Sequence, residues 1–320
     1  VGRLKTIFAA YDQPIYIGAL AASLGETVND FGEIPVFSQD PKLTAFLRSM
    51  KVQHYRSSAS SPAELARDSA RQTLARSRIT PADIDVVIYV SESLWEDRFY
   101  LKDQHWLLEE LGLSHAYLIG TFLRACSNIH SALRIAANLC RNDEAGAVLI
   151  VTTDKAKTTE ERVVPPKIGV TSDSAASLIL SRQMAGADFQ VLCNAQCALP
   201  SMQRLDESAQ YMLFLKCVRD GVAAAVDRCT EGLGCSVQDL RRLVSNNYNM
   251  SLISMFAAIL GVSDSLFVSD NIARYGHCYS ADNVINLIHL LEQEALAPGD
   301  LTLNLSSGPG SWGASILARV

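Results

Sequence analysis

Three patterns in this chain occur twice, in the same order, and that repetition restricts its fold more than any other feature. Ala63 to Ala75 has apolar residues at helical spacing, Thr80-Pro81-Ala82-Asp83 has the form of a capped turn, and Val86 to Val90 is a β-branched run. The succession returns as Val222 to Cys229, Ser236-Val237-Gln238-Asp239 and Leu243-Val244. Next, Ile129, Ala132, Leu133, Ala136 and Cys140 mark a helix that leads into a strand over Ala147 to Thr152. Val284, Leu287, Ile288 and Leu291 lead likewise into Leu301 to Leu305. Last, Ala175-Ala176-Ser177-Leu178-Ile179 is echoed by Gly313-Ala314-Ser315-Ile316-Leu317. One coincidence means little, but three in register, offset by roughly 140 to 155 residues, predict an internally duplicated α/β unit. The 320 residues suffice for two such units, divided here as 1–183 and 184–320.

Alternating strands and helices predict mostly parallel sheets, with helices between and outside them. The two central helices read as apolar nearly all round, which predicts full burial. The simplest packing stacks the halves about a pseudo-twofold, with both helices between two sheets. Their N-termini then face one region. Cys126 lies at the start of the first helix, and Gly276-His277 with Asp282 lies at the start of the second. Residues 151 positions apart are therefore predicted to meet.

A thiol, an imidazole and a carboxylate in contact are the parts of an acyl-transfer site. Unpaired N–H groups and the positive dipole end at a helix start favour thiolate at Cys126, and a thiolate can hold an acyl group covalently. His277 can take and return a proton near neutral pH, and Asp282 can hold one ring tautomer. Each has a plainer reading when taken alone: a small buried cysteine, a loop histidine, an acid favoured at a helix start. Ser307-Gly308-Pro309-Gly310-Ser311-Trp312-Gly313 is a Gly-rich turn whose Gly308 N–H, with that of Cys126, can form an oxyanion hole. No Lys-Ser/Thr pair follows it, so it is not a phosphate loop.

Other classes are disfavoured. A net charge of −6 leaves no basic stripe for nucleic acid, and no apolar run is long enough to cross a bilayer. The start of the chain lacks a signal-peptide core, which predicts a cytoplasmic protein. Eight cysteines are scattered, and the close pair Cys193 and Cys197 lacks the further ligands of a zinc site, so no metal is expected. Cys278, beside His277, is a rival nucleophile whose side chain is expected to point away. Leu94 to Tyr100 with His105-Trp106 fits a tunnel wall, a dimer contact or an ordinary surface, and Asp154 to Gly169 reads as a long loop. Arg241-Arg242 suits an acidic carrier protein or plain solvent.

Together these residues resemble the thiolase superfamily, and within it the ketoacyl-ACP synthase III branch. The resemblance runs from Ile15-Tyr16-Ile17-Gly18 through Ala125-Cys126 and Asp173-Ser174-Ala175 to Trp312-Gly313, nearly the whole chain. It implies a five-layered αβαβα fold, a homodimer, and a tunnel leading to the nucleophile. The chain departs from the condensing members in one respect. Their His-Gln-Ala-Asn motif falls on Asn246-Asn247-Tyr248-Asn249, and their His-Gly-Asn-Thr motif on Tyr275-Gly276-His277-Cys278. The family's His and Asn have exchanged places, and Asp282 lies behind the new His.

Decarboxylative condensation needs two neutral donors at a thioester carbonyl, whereas a His paired with a carboxylate is the better proton acceptor. The pattern resembles synthase III-like acyltransferases of natural-product pathways. That resemblance implies transfer from acyl-CoA or acyl-carrier protein, through Cys126, to a hydroxyl or amine of a small molecule or sugar. Asn246 would position the carbonyl or the acceptor, and no cofactor is expected. Two alternatives stand beside it: a decarboxylative ketoacyl synthase III that forms carbon–carbon bonds, and a non-catalytic partner subunit.

Overall fold

The computed structural model describes residues 4–92, 100–165, 167–205 and 209–320. The stretch Leu94 to Phe99 lies outside the described residues. The first half contains β1 (Lys5–Ala10), β2 (Tyr16–Leu24), β3 (Thr27–Asp30), α1 (Pro35–Ser38), α2 (Pro41–Ser49), β4 (His54–Ser57), α3 (Pro62–Arg76) and β5 (Val86–Val90). It continues with α4 (Tyr100–Glu110), β6 (Tyr117–Thr121), α5 (Asn128–Arg141), β7 (Ala147–Asp154), β8 (Val163–Val164), β9 (Gly169–Val170) and β10 (Ser174–Ser181). The second half contains β11 (Ala187–Ala198), α6 (Tyr211–Leu233), β12 (Leu240–Val244), α7 (Met250–Leu260), α8 (Asp270–Tyr275), α9 (Ala281–Gln293), β13 (Leu301–Gly308) and β14 (Ser311–Arg319).

The repeated patterns become repeated elements. Helix α3 and strand β5 correspond to α6 and β12, α5 and β7 to α9 and β13, and β10 to β14. Even the turns agree. Asp83 accepts from the Thr80 N–H at 3.0 Å and Asp239 from the Ser236 N–H at 2.7 Å, so each acid closes the turn that feeds a strand.

The main sheet runs β12-β13-β14-β11-β2-β10-β7-β5-β6, with β1 added on β11. The expectation of mostly parallel pairing fails. Only β5–β6, β5–β7 and β12–β13 are parallel among the main-sheet pairs of the described residues. Those strands are separated in sequence by crossover helices. The strand that follows in each half returns without one, as β13 does into β14 through the tight turn Pro309-Gly310, and such a return is antiparallel. The two halves are not detached sheets either. A short pairing of β2 residues 16–18 with β11 residues 187–190 joins them edge to edge. Two segments of the first half also join the second: β1 pairs with β11, while Phe31, Phe37 and Leu47 enter the apolar cluster beneath α6 and α7.

Helices α5 and α9 touch strands of both halves, α3 covers β2, β7 and β10, and α6 covers β1, β11 and β14. The layers are therefore helix, sheet, helix, sheet, helix. The two central helices are enclosed, but not because they are apolar all round. His130 of α5 is fully buried, with Nδ1 3.0 Å from Ser315 Oγ and Nε2 3.1 Å from Ser306 Oγ. Asn283 of α9 donates to the Leu305 carbonyl (2.9 Å), and Asn286 donates to the Ser245 carbonyl (2.8 Å) and to Asn247 Oδ1 (2.9 Å). Buried polar groups must be paired, and here the pairing locks helices to strand ends. No helix among the described residues is long and apolar enough to cross a membrane.

The stretch 154–169 is more ordered than a plain loop. It holds a short helical turn, Glu160–Arg162, and the β8–β9 hairpin. Arg162 forms a two-pronged buried ion pair with Asp173, 2.9 Å on each side, and its guanidinium lies 5.0 Å from the Tyr55 ring centroid. Asp173 also accepts from the Ser58 and Ala156 N–H groups, so neither charge is left uncompensated.

Burial pushes the His130 imidazole down to about 3, so the folded chain holds it neutral. The unfolded chain takes up that proton once the pH falls below the ordinary histidine value of about 6.5, and stability is lost from there downward. About 2 kcal/mol should go between about pH 7 and pH 5 from this residue alone. Urea unfolding at both pH values should show His130→Gln losing less stability than the parent by that amount; equal losses would contradict it.

Candidate active site

The turn that carries Cys126 is built first. Residues Ala125–Ser127 form a single helical turn between β6 and α5. Ala125 has φ 45°, a left-handed conformation that strains a residue with a β-carbon. The strain is held by neighbours: Arg124 N–H donates to Asn128 Oδ1 (3.0 Å), Arg124 Nη2 to the Cys197 carbonyl (2.8 Å), and Ser127 Oγ to the Arg124 carbonyl (2.7 Å). The result aims Cys126 at the start of α9 rather than into the core.

His277 is fixed as tightly. Its N–H donates to the Val170 carbonyl and its carbonyl accepts from Ser172 N–H, both at 2.8 Å. Gly276 makes this approach possible. It has φ 61° and ψ −151°, and a β-carbon there would stand 2.6 Å from the Val170 oxygen. His277 Nε2 lies 3.1 Å from Cys126 Sγ, and Nδ1 lies 2.5 Å from Asp282 Oδ2. Asp282 also accepts from Asn247 N–H (2.8 Å), Asn247 Nδ2 (3.0 Å) and Cys278 N–H (2.7 Å). Four donors on one carboxylate leave it only an acceptor role, so the His277 proton sits on Nδ1 and Nε2 faces the thiol. The structure thus brings Cys126, His277 and Asp282 together.

Asn246 takes a different position from the one expected. Its Oδ1 accepts from Ser307 N–H (3.0 Å), its Nδ2 points at the Tyr279 carbonyl (3.5 Å), and it does not line the cavity beside the thiol. It holds the strand end that carries Gly308. Gly308 does face the site: a β-carbon there would lie 3.1 Å from Ala125 Cβ and 3.5 Å from the Cys126 nitrogen. Cys278 is fully buried and outside the cavity. Arg242 is engaged by the Ser265 carbonyl and by Glu294 at 2.9 Å. His105 is exposed, and Trp106 stacks under Arg67 away from the site.

Two groups escaped the sequence. The Tyr248 hydroxyl donates to the Ser307 carbonyl (2.7 Å) and reaches Cys126 Sγ (3.2 Å), with its ring 4.4 Å from that of His277. The signal for it was a large residue at the alanine position of the Asn246-to-Asn249 stretch. Glu92, two residues beyond β5, lines the same cavity and interacts with the Cys126 thiol. Burial and the nearby Asp154 push its carboxyl up to about 8. A lone acid after an apolar strand gave no cue to this.

The cavity has a volume of about 220 Å³. Its far wall is apolar, from Val163, Val164, Ile168, Phe214, Leu252 and Phe256, so the 154–169 stretch is a wall of the site. The thiolate expected from the helix start is overruled. Burial raises the Cys126 thiol well above its ordinary value, and Glu92 adds to this, because the cost of an unsolvated anion exceeds what a helix end returns. The resting group is S–H, poised on Nε2.

Residues 231–319 match the family model for the C-terminal region of 3-oxoacyl-[acyl-carrier-protein (ACP)] synthase III. The chain is 24% identical over 287 residues to beta-ketoacyl-[acyl-carrier-protein] synthase III 2 of Vibrio vulnificus, covering 83% of this chain and 78% of that protein. It is 23% identical over 265 residues to the corresponding synthase III of Aquifex aeolicus, covering 79% and 82%. Among solved structures, ChlB3, described as an acyltransferase, superposes with a TM-score of 0.83 at 20% identity, over 96% of this chain and 98% of that one. The synthase III of Aquifex aeolicus gives 0.80 at 18% identity, over 95% and 100%. Cerulenin-bound OleA of Xanthomonas campestris also gives 0.80 at 18%, over 96% and 99%. The fold is therefore the thiolase-like fold of synthase III-type proteins.

Iodoacetamide should alkylate Cys126 at neutral pH at least about tenfold more slowly than it alkylates free cysteine, because little thiolate is present. Peptide-level mass spectrometry over a pH series should show the rate rising past the ordinary thiol range. A plateau reached at acidic pH would contradict the assignment.

Proposed function

We propose that the protein is an acyltransferase working through an acyl-cysteine. One observation carries the reading: a hydrogen-bonded line from Asp282 through His277 to Cys126, with Asn246 turned away from the cavity. An acyl-CoA or acyl-carrier protein places its thioester carbonyl at the Cys126 and Gly308 backbone. His277 Nε2 takes the S–H proton as sulfur attacks, and the backbone N–H groups of those two residues steady the oxyanion. Collapse expels the donor thiol, which takes the proton from His277. In the second half-reaction the same Nε2 removes the proton of an incoming hydroxyl or amine and returns it to the Cys126 sulfur as the C–S bond breaks. Gly308 and Cys126 supply the oxyanion hole, Asn246 positions it, and Asp282 holds the His277 tautomer. The donor is a substrate, and the scheme requires no resident cofactor or metal.

A second reading has its own support. Synthase III proteins of Vibrio vulnificus and Aquifex aeolicus are named for ketoacyl synthesis, which favours carbon–carbon condensation. That chemistry asks for two neutral donors at the carbonyl of a malonyl thioester. Here one of the two candidates, Asn246, is spent on the Ser307 N–H and the Tyr279 carbonyl. A homodimer fits either reading. Edge strand β6 and the residues after it carry exposed Tyr117, Phe122 and Leu123, an apolar rim suited to a second copy.

Intact-mass measurement after incubation with a panel of acyl-CoAs, malonyl-CoA included, should show one acyl adduct on Cys126 that persists until a nucleophilic acceptor is added. Carbon dioxide release coupled to chain extension would favour condensation. Asp282→Asn should slow acyl release more than loading, by about two orders of magnitude or more. Equal slowing of both steps would remove the orienting role. Leu123→Glu should shift the sedimentation of a dimer toward the monomer; an unchanged coefficient would place the interface elsewhere.

A further inference from the structure

The proposed transfer uses one base, His277, yet a second carboxyl stands at the thiol. Glu92 lines the cavity beside Cys126, His277 and Tyr279. Its Oε1 is shielded from water and has no hydrogen-bond partner among the described residues. An unpaired buried oxygen is costly, and it is satisfied most simply by a donor on a ligand. Its neighbours supply no compensating charge. The groups acting on it are Asp154, Asp282 and the Cys126 thiol, and no lysine or arginine lines the cavity among the described residues. Glu161 adds a carboxylate on the exposed side of the same cavity. Among the described residues the pocket is therefore lined with acid and lacks a built-in lysine or arginine.

Proton balance says what such a pocket suits. An alcohol that becomes an ester loses one proton, and the departing Cys126 sulfur takes it by way of His277. One base is enough. An amine arrives as an ammonium ion and must lose two protons to become an amide: one to free its lone pair, one after attack. Only one of them can return to sulfur.

Resting on the acyl-transfer reading above, we infer that the acceptor is a primary amine and that Glu92 is a second catalytic residue, which binds the ammonium group and takes its first proton. The ammonium provides the cation that the pocket lacks and fills the open Oε1. As the ammonium docks, its charge favours the ionised form of Glu92, which gives its own proton to water; the carboxylate then removes one proton from nitrogen, and the lone pair attacks the thioester carbon. The C–N bond forms as the carbonyl electron pair moves to oxygen. His277 Nε2 takes the second proton from nitrogen. The oxyanion collapses, the C–S bond breaks, and the sulfur takes that proton from Nε2. The products are an amide, the Cys126 thiol and protonated Glu92, which returns its proton to water. The raised proton affinity of Glu92, about 8, suits an exchange with an alkylammonium, whose own value is near that of lysine at about 10.

The test uses the full chain loaded on Cys126 from whichever straight-chain acyl-CoA gives the best adduct, then challenged with benzylamine or with benzyl alcohol. Loss of the acyl mass gives the two release rates. The same pair reacting with the matching acyl-N-acetylcysteine in buffer gives the ratio intrinsic to the reagents. The amine-to-alcohol ratio should be higher on the enzyme than in buffer by at least about tenfold, and Glu92→Gln should lower it by a similar factor. A ratio on the parent enzyme equal to or below that in buffer overturns the inference, whether or not the variant folds. So does a Glu92→Gln enzyme that slows both releases alike. If no acyl-enzyme forms from any donor, the acyl-transfer reading itself falls, and this inference with it. An acyl-enzyme released preferentially by the alcohol removes the amine acceptor alone.

Discussion

The site depends on one buried carboxylate. Among the described residues, Asp282 has no lysine or arginine as a hydrogen-bonded partner. It is satisfied instead by the N–H groups of Asn247 and Cys278, the Asn247 amide and His277 Nδ1. Those donors come from the segment after β12 and from the turn before α9. A single side chain in the first turn of a helix thus pins the segment after β12 to the turn between α8 and α9. Asn286 extends the arrangement by holding Asn247 in turn. If the carboxylate moves, the imidazole loses its orientation and the Asn246-to-Tyr248 stretch loses its anchor. Structure and chemistry share the same four hydrogen bonds.

Burial then sets how that site can react. An exposed thiol at a helix start is inclined to ionise; this one is enclosed by Glu92, Tyr248 and His277 and is held as S–H. The thiol has an imidazole nitrogen already in contact, His277 Nε2 at 3.1 Å. The Arg162–Asp173 pair fastens the 154–169 stretch against the first-half sheet, and Val163, Val164 and Ile168 of that stretch close the cavity. An ion pair outside the cavity therefore holds part of its apolar wall in place.

Much of this was legible from the residues. Local patterns recur at a fixed offset, so the duplication was visible, and its symmetry made the meeting of Cys126 with His277 and Asp282 a geometric expectation. The exchange of Asn246 and His277 is implied only by the resemblance to the motifs of condensing synthases. What escaped was decided by non-local partners. Asn246 turns to Ser307 because a strand end sixty-one residues away presents an unpaired N–H. Tyr248 and Glu92 reach the sulfur because three separate segments end at one point; a large residue in an alanine position hinted at Tyr248, and nothing near Glu92 announced it. The central helices looked apolar because the polar residues on them, such as His130 and Asn283, have partners that only the opposite sheet supplies.

The sequence by itself determined an internally repeated α/β chain and the expectation that Cys126, His277 and Asp282 meet. Periodicity and spacing are properties of neighbouring residues, and they survive without coordinates. The tertiary structure decided the direction of strand pairing, the join between β2 and β11, the protonation of the thiol and the loss of Asn246 to the backbone. Each of these depends on which groups exclude water from which others, and that is settled only when distant parts of the chain are brought into contact.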